Sequence, residues 1–106
     1  MFSRLDRING WANRAGASHY SYDELAKSCS TSRSHLRRYF LAKFGKTPRK
    51  WMNEQRLAKA ADLLHASDLS VKQIATSLSY EYPGNFARQF KASYGCNPSE
   101  YATRQP

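Results

Sequence analysis

The stretch TSRSHLRRYFLAKFGKTPRKW, residues 31–51, holds seven Lys or Arg and no Asp or Glu. The acid-free run around it extends from Leu25 to Asn53. Its apolar and basic residues are sorted by helical spacing rather than mixed. Leu36, Phe40 and Phe44 fall at i, i+4 and i+8 with Tyr39 beside them, so one face is apolar. Arg33, Ser34, Arg37, Arg38 and Leu41 fall on another face. A helix anchored by aromatics on one side and showing guanidinium groups on the other suits insertion into a nucleic-acid groove. Taken alone, the pattern also describes a solvated basic helix, and the rest of the chain decides between the two.

At 106 residues the chain is one compact domain, or two very small ones sharing an element. Hydrophobic residues make up 41% and aromatics 13%, enough for a core, which argues against disorder. Seventeen basic against eight acidic residues give a net charge of +9, and such an excess implies a polyanionic partner. Nucleic acid, an anionic membrane surface and an acidic protein all qualify. No apolar run reaches signal-peptide or membrane-span length, so a cytoplasmic location and no membrane partner are expected. Cys29 and Cys96 form no C-x-x-C pair, and with His19, His35 and His65 they make no zinc-finger spacing. They are expected to be reduced packing residues, with no metal and no cofactor.

The cap signals mark the helices. Leu5, Ile8, Trp11, Ala12 and Ala15 predict the buried stripe of a first helix, capped by Ser3 after a lead-in from Met1 and ended by Gly16. Ser21–Glu24 reads as a capping box opening a short helix with Leu25 and Cys29 inward. After a break near Ser30, Ser32 caps the basic helix. Two helices joined by a turn of three to four residues make a helix-turn-helix. Gly45 ends the basic helix, and Thr47-Pro48 starts an uninterrupted helix to about His65, roughly 27 Å long at 1.5 Å per residue. Ser70–Gln73 is a second capping box, with Ile74 and Leu78 inward. Pro83 opens a further helix with Phe86, Phe90 and Tyr94 on its apolar side and Gly95 at its end. Asn97–Glu100 is a third box before a last short helix carrying Tyr101. No segment alternates as a strand would, so the fold is expected to be all-α with about seven helices.

Laid over itself at an offset of 49, then 50 after one inserted residue in the second turn, the chain matches in order. Ser21 falls on Ser70, Leu25 on Ile74, Ala26 on Ala75 and Ser30 on Ser79. Leu36 then falls on Phe86, Arg38 on Arg88, Phe40 on Phe90, Phe44 on Tyr94, Gly45 on Gly95, Pro48 on Pro98 and Trp51 on Tyr101. The repeat describes two helix-turn-helix subdomains, residues 1–47 and 67–106, joined by a linker helix over 48–66. A rigid helix of that length would hold two outward-facing helices apart, and major-groove segments on one face of B-DNA recur about every 34 Å. One chain could then contact two successive grooves without dimerising.

These paired units resemble the DNA-binding domain of the AraC/XylS family of bacterial transcription regulators, from about Leu5 to Tyr101. The resemblance rests on the run S-x-x-x-L-x-R-x-F-x-x-x-x-G-x-x-P from Ser32 to Pro48. It rests also on YEYPGNFARQFK at 80–91, YGCNPSEY at 94–101, Gln55-Arg56-Leu57 and Ala61-x-x-Leu64. It implies a homeodomain-like pair acting as a sequence-specific double-stranded DNA-binding transcription factor, with recognition helices of about 32–44 and 83–94 in adjacent major-groove segments. Carried onto matching positions, the base-reading residues would be Ser34, Arg37 and Arg38, then Gly84, Asn85 and Arg88, although Gly84 has no side chain to read with. Arg38 and Arg88 could each donate twice to guanine O6 and N7, and Asn85 could pair with adenine. Phosphate contacts are expected at Ser32, Arg33, Lys43, Lys46, Gln89 and Lys91. Ser30 and Ser79 stand where the family often has Gly, so these turns either avoid positive φ or carry modest strain.

Charge is uneven between the units: residues 25–53 carry eight basic groups, whereas 82–99 carry only Arg88 and Lys91. The first unit is therefore expected to supply most of the affinity, and the second to add sequence preference or contact RNA polymerase. Family members mostly join this domain to a ligand-sensing or dimerising partner domain, so the domain itself is expected to be monomeric. An immediate entry into the first helix fits either a stand-alone form or a domain trimmed at its edge. The alternative function is a protein-interaction module whose basic face docks on an acidic partner, with only generic DNA affinity. Placing the aromatics in core positions argues against it, and also against RNA binding by base stacking. No acid pair, Ser-His-Asp set, metal cluster or phosphate-cradling Gly loop suggests an enzyme.

Overall fold

A computed structural model describes residues 3–104, so the expected lead-in over Met1 and Phe2 lies outside the described residues. These form eight helices: α1 (Ser3–Asp6), α2 (Trp11–Ala17), α3 (Tyr22–Ser28), α4 (Arg33–Phe44), α5 (Pro48–Ala66), α6 (Val71–Ser77), α7 (Pro83–Tyr94) and α8 (Pro98–Thr103). The extra helix comes from the first element. Gly10 takes φ 68°, a left-handed conformation that separates α1 from α2. Leu5 and Ala15 are buried as their spacing predicts, but Ala12 faces solvent, because the break resets the phase of the stripe. Gly16 lies inside α2 and does not end it.

The other boundaries follow their caps. Ser32 Oγ accepts from the His35 amide (3.1 Å), Thr47 Oγ1 from Lys50 (3.3 Å) and Asn97 Oδ1 from Glu100 (2.8 Å). The capping box is complete at Ser70, whose amide donates to Gln73 Oε1 while its hydroxyl accepts from the Gln73 amide. At Ser21 only half of it forms, because the Ser21 amide donates instead to the Ser18 carbonyl. Both long recognition-type helices end on a glycine in the left-handed region, Gly45 at φ 71° and Gly95 at φ 80°.

The chain divides into two compact units, Met1–Gln55 and Arg56–Pro106, the division falling inside α5. Each unit has its own aromatic cluster, drawn from matched positions though with different ring angles. In the first, Phe40, Phe44 and Trp51 meet with ring centroids 4.8, 5.3 and 5.7 Å apart. In the second, Phe90, Tyr94 and Tyr101 meet at 4.4, 5.2 and 5.5 Å. These six residues are the pairs matched at offset 50, so the repeat is one of packing as well as of sequence. Such edge-to-face and offset pairs add to the burial that holds small helical units together.

Candidate nucleic-acid interface

In each unit a short capped helix leads through a tight turn into a longer one. The first turn spans four residues between α3 and α4, the second five between α6 and α7, which is the inserted residue of the repeat. Thr31 N–H donates to the Ala26 carbonyl (3.0 Å), and Tyr80 N–H to the Ala75 carbonyl (3.0 Å), so both turns close on the matched alanines. Ser30 and Ser79 adopt φ 53° and 68°. The turns therefore take the strained of the two expected courses, since a Cβ in this region crowds the following carbonyl.

Burying Leu36, Tyr39 and Phe40 turns the opposite face of α4 outward. Ser34, Arg37 and Arg38 are all exposed there, and so is Leu41, at 41%. On α7 the burial of Phe86 and Phe90 leaves Gly84 and Arg88 exposed and Asn85 half-buried. Arg88 Nη2 donates to Asn85 Oδ1 within the helix. Asn85 Oδ1 thus gives one of its two lone pairs to Arg88, which leaves the other for a base.

The cations expected at phosphates are not equally available. Arg33 Nε lies 3.2 Å from Asp23 Oδ1, with its guanidinium 4.6 Å from the centroid of the Tyr22 ring. Burial pushes the Tyr22 hydroxyl above its ordinary pKa, against the opposing pull of Arg33. Lys43 Nζ is 3.4 Å from Asp6, and Lys46 Nζ 2.6 Å from Glu54. The acid-free run is free of acid in sequence only: carboxylates from outside it pair with four of its eight cations, Lys27 with Glu24 being the fourth. Ser32 is exposed and its hydroxyl caps α4. Gln89 is half-buried and accepts from the Tyr80 hydroxyl (3.5 Å), while Lys91 is exposed.

A family model described as "Helix-turn-helix domain" matches residues 25–104. The chain belongs to the AraC/XylS family. The transcriptional regulator CdhR of Pseudomonas aeruginosa is 35% identical over 77 residues, which are 73% of this chain and 23% of that protein. The transcriptional activator RhaS of Escherichia fergusonii is 32% identical over 98 residues, 92% of this chain and 35% of that protein. The chain therefore spans about a third or less of these relatives. Among solved structures, the DNA-binding domain of AdpA in complex with a target DNA superposes with a TM-score of 0.77 at 26% identity, covering 94% of this chain and 86% of that one.

One device of this AraC/XylS-family chain escapes the alignment of the repeat. Arg4 Nη2 donates to the carbonyls of Cys29 (3.3 Å) and Ser30, and Arg56 Nη1 to those of Leu78 (3.3 Å) and Ser79 (3.5 Å). The carbonyls are equivalent at offset 49, whereas the arginines stand 52 apart. An Arg-Leu pair with the leucine buried, Arg4-Leu5 and Arg56-Leu57, was the signal available in the sequence. A second departure from expectation is the exposure of Tyr82, at the N-cap position of α7, and of Tyr94, at 61% and 36%, so not every aromatic is in a core. Both cysteines are buried and unpaired. Among the described residues no helix is long and apolar enough to cross a membrane, and no three His, Cys, Asp or Glu group as metal ligands.

Proposed function

We propose that this chain is a sequence-specific double-stranded DNA-binding domain of a transcription regulator, acting by binding and not by catalysis. The observation that carries the proposal is the duplicated outward face. In each of two like-packed units a helix held by buried aromatics exposes an arginine at the matched position, Arg38 on α4 and Arg88 on α7. The likeness to the AdpA domain, solved with DNA, supports the same reading.

In this reading α4 and α7 enter adjacent major-groove segments, and the segment 48–66 links subdomains at 1–47 and 67–106. Ser34, Arg37, Arg38 and Arg88 reach base edges, while Arg33, Lys43, Lys46 and Lys91 neutralise phosphates. The domain binds as a monomer, and polymerase contact falls to the less basic second unit.

The test is a titration of this chain with random-sequence duplex and with duplex that it has itself selected from a random library, at two salt concentrations. The selected duplex is expected to bind on the order of a hundredfold tighter or more, with two protected segments on one face. Equal binding of both duplexes, abolished by salt, overturns the proposal and favours an acidic protein partner.

A further inference from the structure

We propose that Leu41 is a thymine-reading residue: its side chain packs on the 5-methyl group of a thymine in the groove segment occupied by α4. The proposal rests on the DNA-binding reading above and adds a residue and a base to it.

At about 100° of turn per residue, Ser34, Arg37, Arg38 and Leu41 fall within an arc of about 100° on α4. That arc lies opposite the buried Leu36, Tyr39 and Phe40. A helix laid along the major groove reads bases with residues at this i, i+3, i+4, i+7 spacing, as homeodomains do. Leu41 is the fourth position of the set. It is the one large aliphatic side chain on α4 that is exposed, at 41%, and it stands outside the core cluster that holds the helix. Its partner in the repeat, on α7, is Lys91. Where the second unit carries a cation suited to phosphate, the first carries an alkyl group that neither donates nor accepts a hydrogen bond. In the major groove, the apolar feature a base pair offers such a group is the thymine methyl.

The experiment takes the duplex selected by the wild-type chain and replaces each thymine of the first unit's protected segment, one at a time, by deoxyuridine, which lacks only the methyl. Affinities are compared for wild type and Leu41→Ala, with thermal unfolding confirming that the exposed substitution leaves the fold intact. Wild type is expected to lose about fourfold at one thymine, the factor for one buried methyl-sized group. Leu41→Ala should bind the thymine and uracil duplexes alike. The proposal is overturned if wild type tolerates every replacement, if L41A keeps the sensitivity, or if the selected segment holds no thymine. Failure to select any preferred duplex removes the DNA-reading proposal itself, and is a separate result.

Discussion

Arg56 lies across the face of Tyr80, its guanidinium carbon 4.0 Å from the ring centroid, while donating to the first two carbonyls of the helix-turn-helix turn. One planar cation thus joins α5 to the start of the turn after α6 and to Tyr80 within it. Arg56→Ala is expected to destabilise the second unit by about 2 kcal/mol, from lost charged hydrogen bonds and stacking. Arg56→Lys should recover only part of this, since an ammonium lacks the flat fork. Urea unfolding with amide exchange at residues 78–80 reads both. Wild-type stability in R56A would remove the clamp from the account.

Ser30 holds φ 53° on an ordinary side chain. Ser30→Gly relieves the strain but loosens the unfolded chain, leaving a net gain of about 0.5 kcal/mol. Ser30→Val should cost more than 1 kcal/mol, roughly, because β-branching resists this region. Thermal melts of the two variants decide it; a valine variant as stable as the glycine one contradicts the assigned backbone.

Arg38→Ala and Arg88→Ala should each lose about 1–3 kcal/mol of binding to the selected duplex, with relaxed preference at one base pair. The loss is expected to be larger for Arg38, which sits in the more basic unit. Because Asn85 Oδ1 accepts from Arg88, Asn85→Ala should weaken the base preference set by Arg88 and leave neighbouring positions alone. Loss of an adenine preference elsewhere in the site, with that of Arg88 intact, would show Asn85 reading a base directly.

The carboxylates of Asp23 and Glu54 hold Arg33 and Lys46. Asp23→Asn or Glu54→Gln frees one cation, so affinity for all duplexes should rise at low salt. Arg33→Gln or Lys46→Gln should instead flatten the slope of log K against log salt by about 0.9 each. Stability should change by less than about 1 kcal/mol, since such pairs are exposed. Binding isotherms on random-sequence duplex at three salt concentrations test this, and unchanged slopes would count against phosphate contact by either cation.

Burial raises the pKa of the Tyr39 hydroxyl above the ordinary 10.0, and its donation to Asp6 Oδ1 (3.2 Å) adds to the shift. The folded state therefore keeps a proton that the unfolded chain gives up. The stabilisation is full below about pH 10 and is lost as pH climbs through the folded value. Tyr39→Phe should flatten part of the alkaline loss of stability in urea midpoints taken from pH 8.5 to 11. Parallel curves for wild type and variant would exclude Tyr39 as its source.

Much of this molecule is legible without coordinates because its signals are local. The caps at Ser32, Thr47, Ser70 and Asn97 satisfy amides within three residues of themselves. The aromatics of α4 and α7 mark one helix face each by spacing alone. Where a local rule met a competing partner, it failed: the Ser21 amide was taken by Ser18, and Gly10 cut a stripe that periodicity had carried straight through.

By itself the sequence determined an all-α chain, a duplicated helix-turn-helix plan, and two helix faces showing Ser34, Arg37 and Arg38, then Gly84 and Arg88. All of these depend on neighbours within one helix or on the match between two halves. Only the tertiary structure decided which cations are held by Asp6, Asp23 and Glu54, and that Arg4 and Arg56 clamp equivalent turns. The ion pairs and clamps join residues 8 to 37 positions apart, and no periodicity or cap signal reports which distant side chains the packed helices bring within reach.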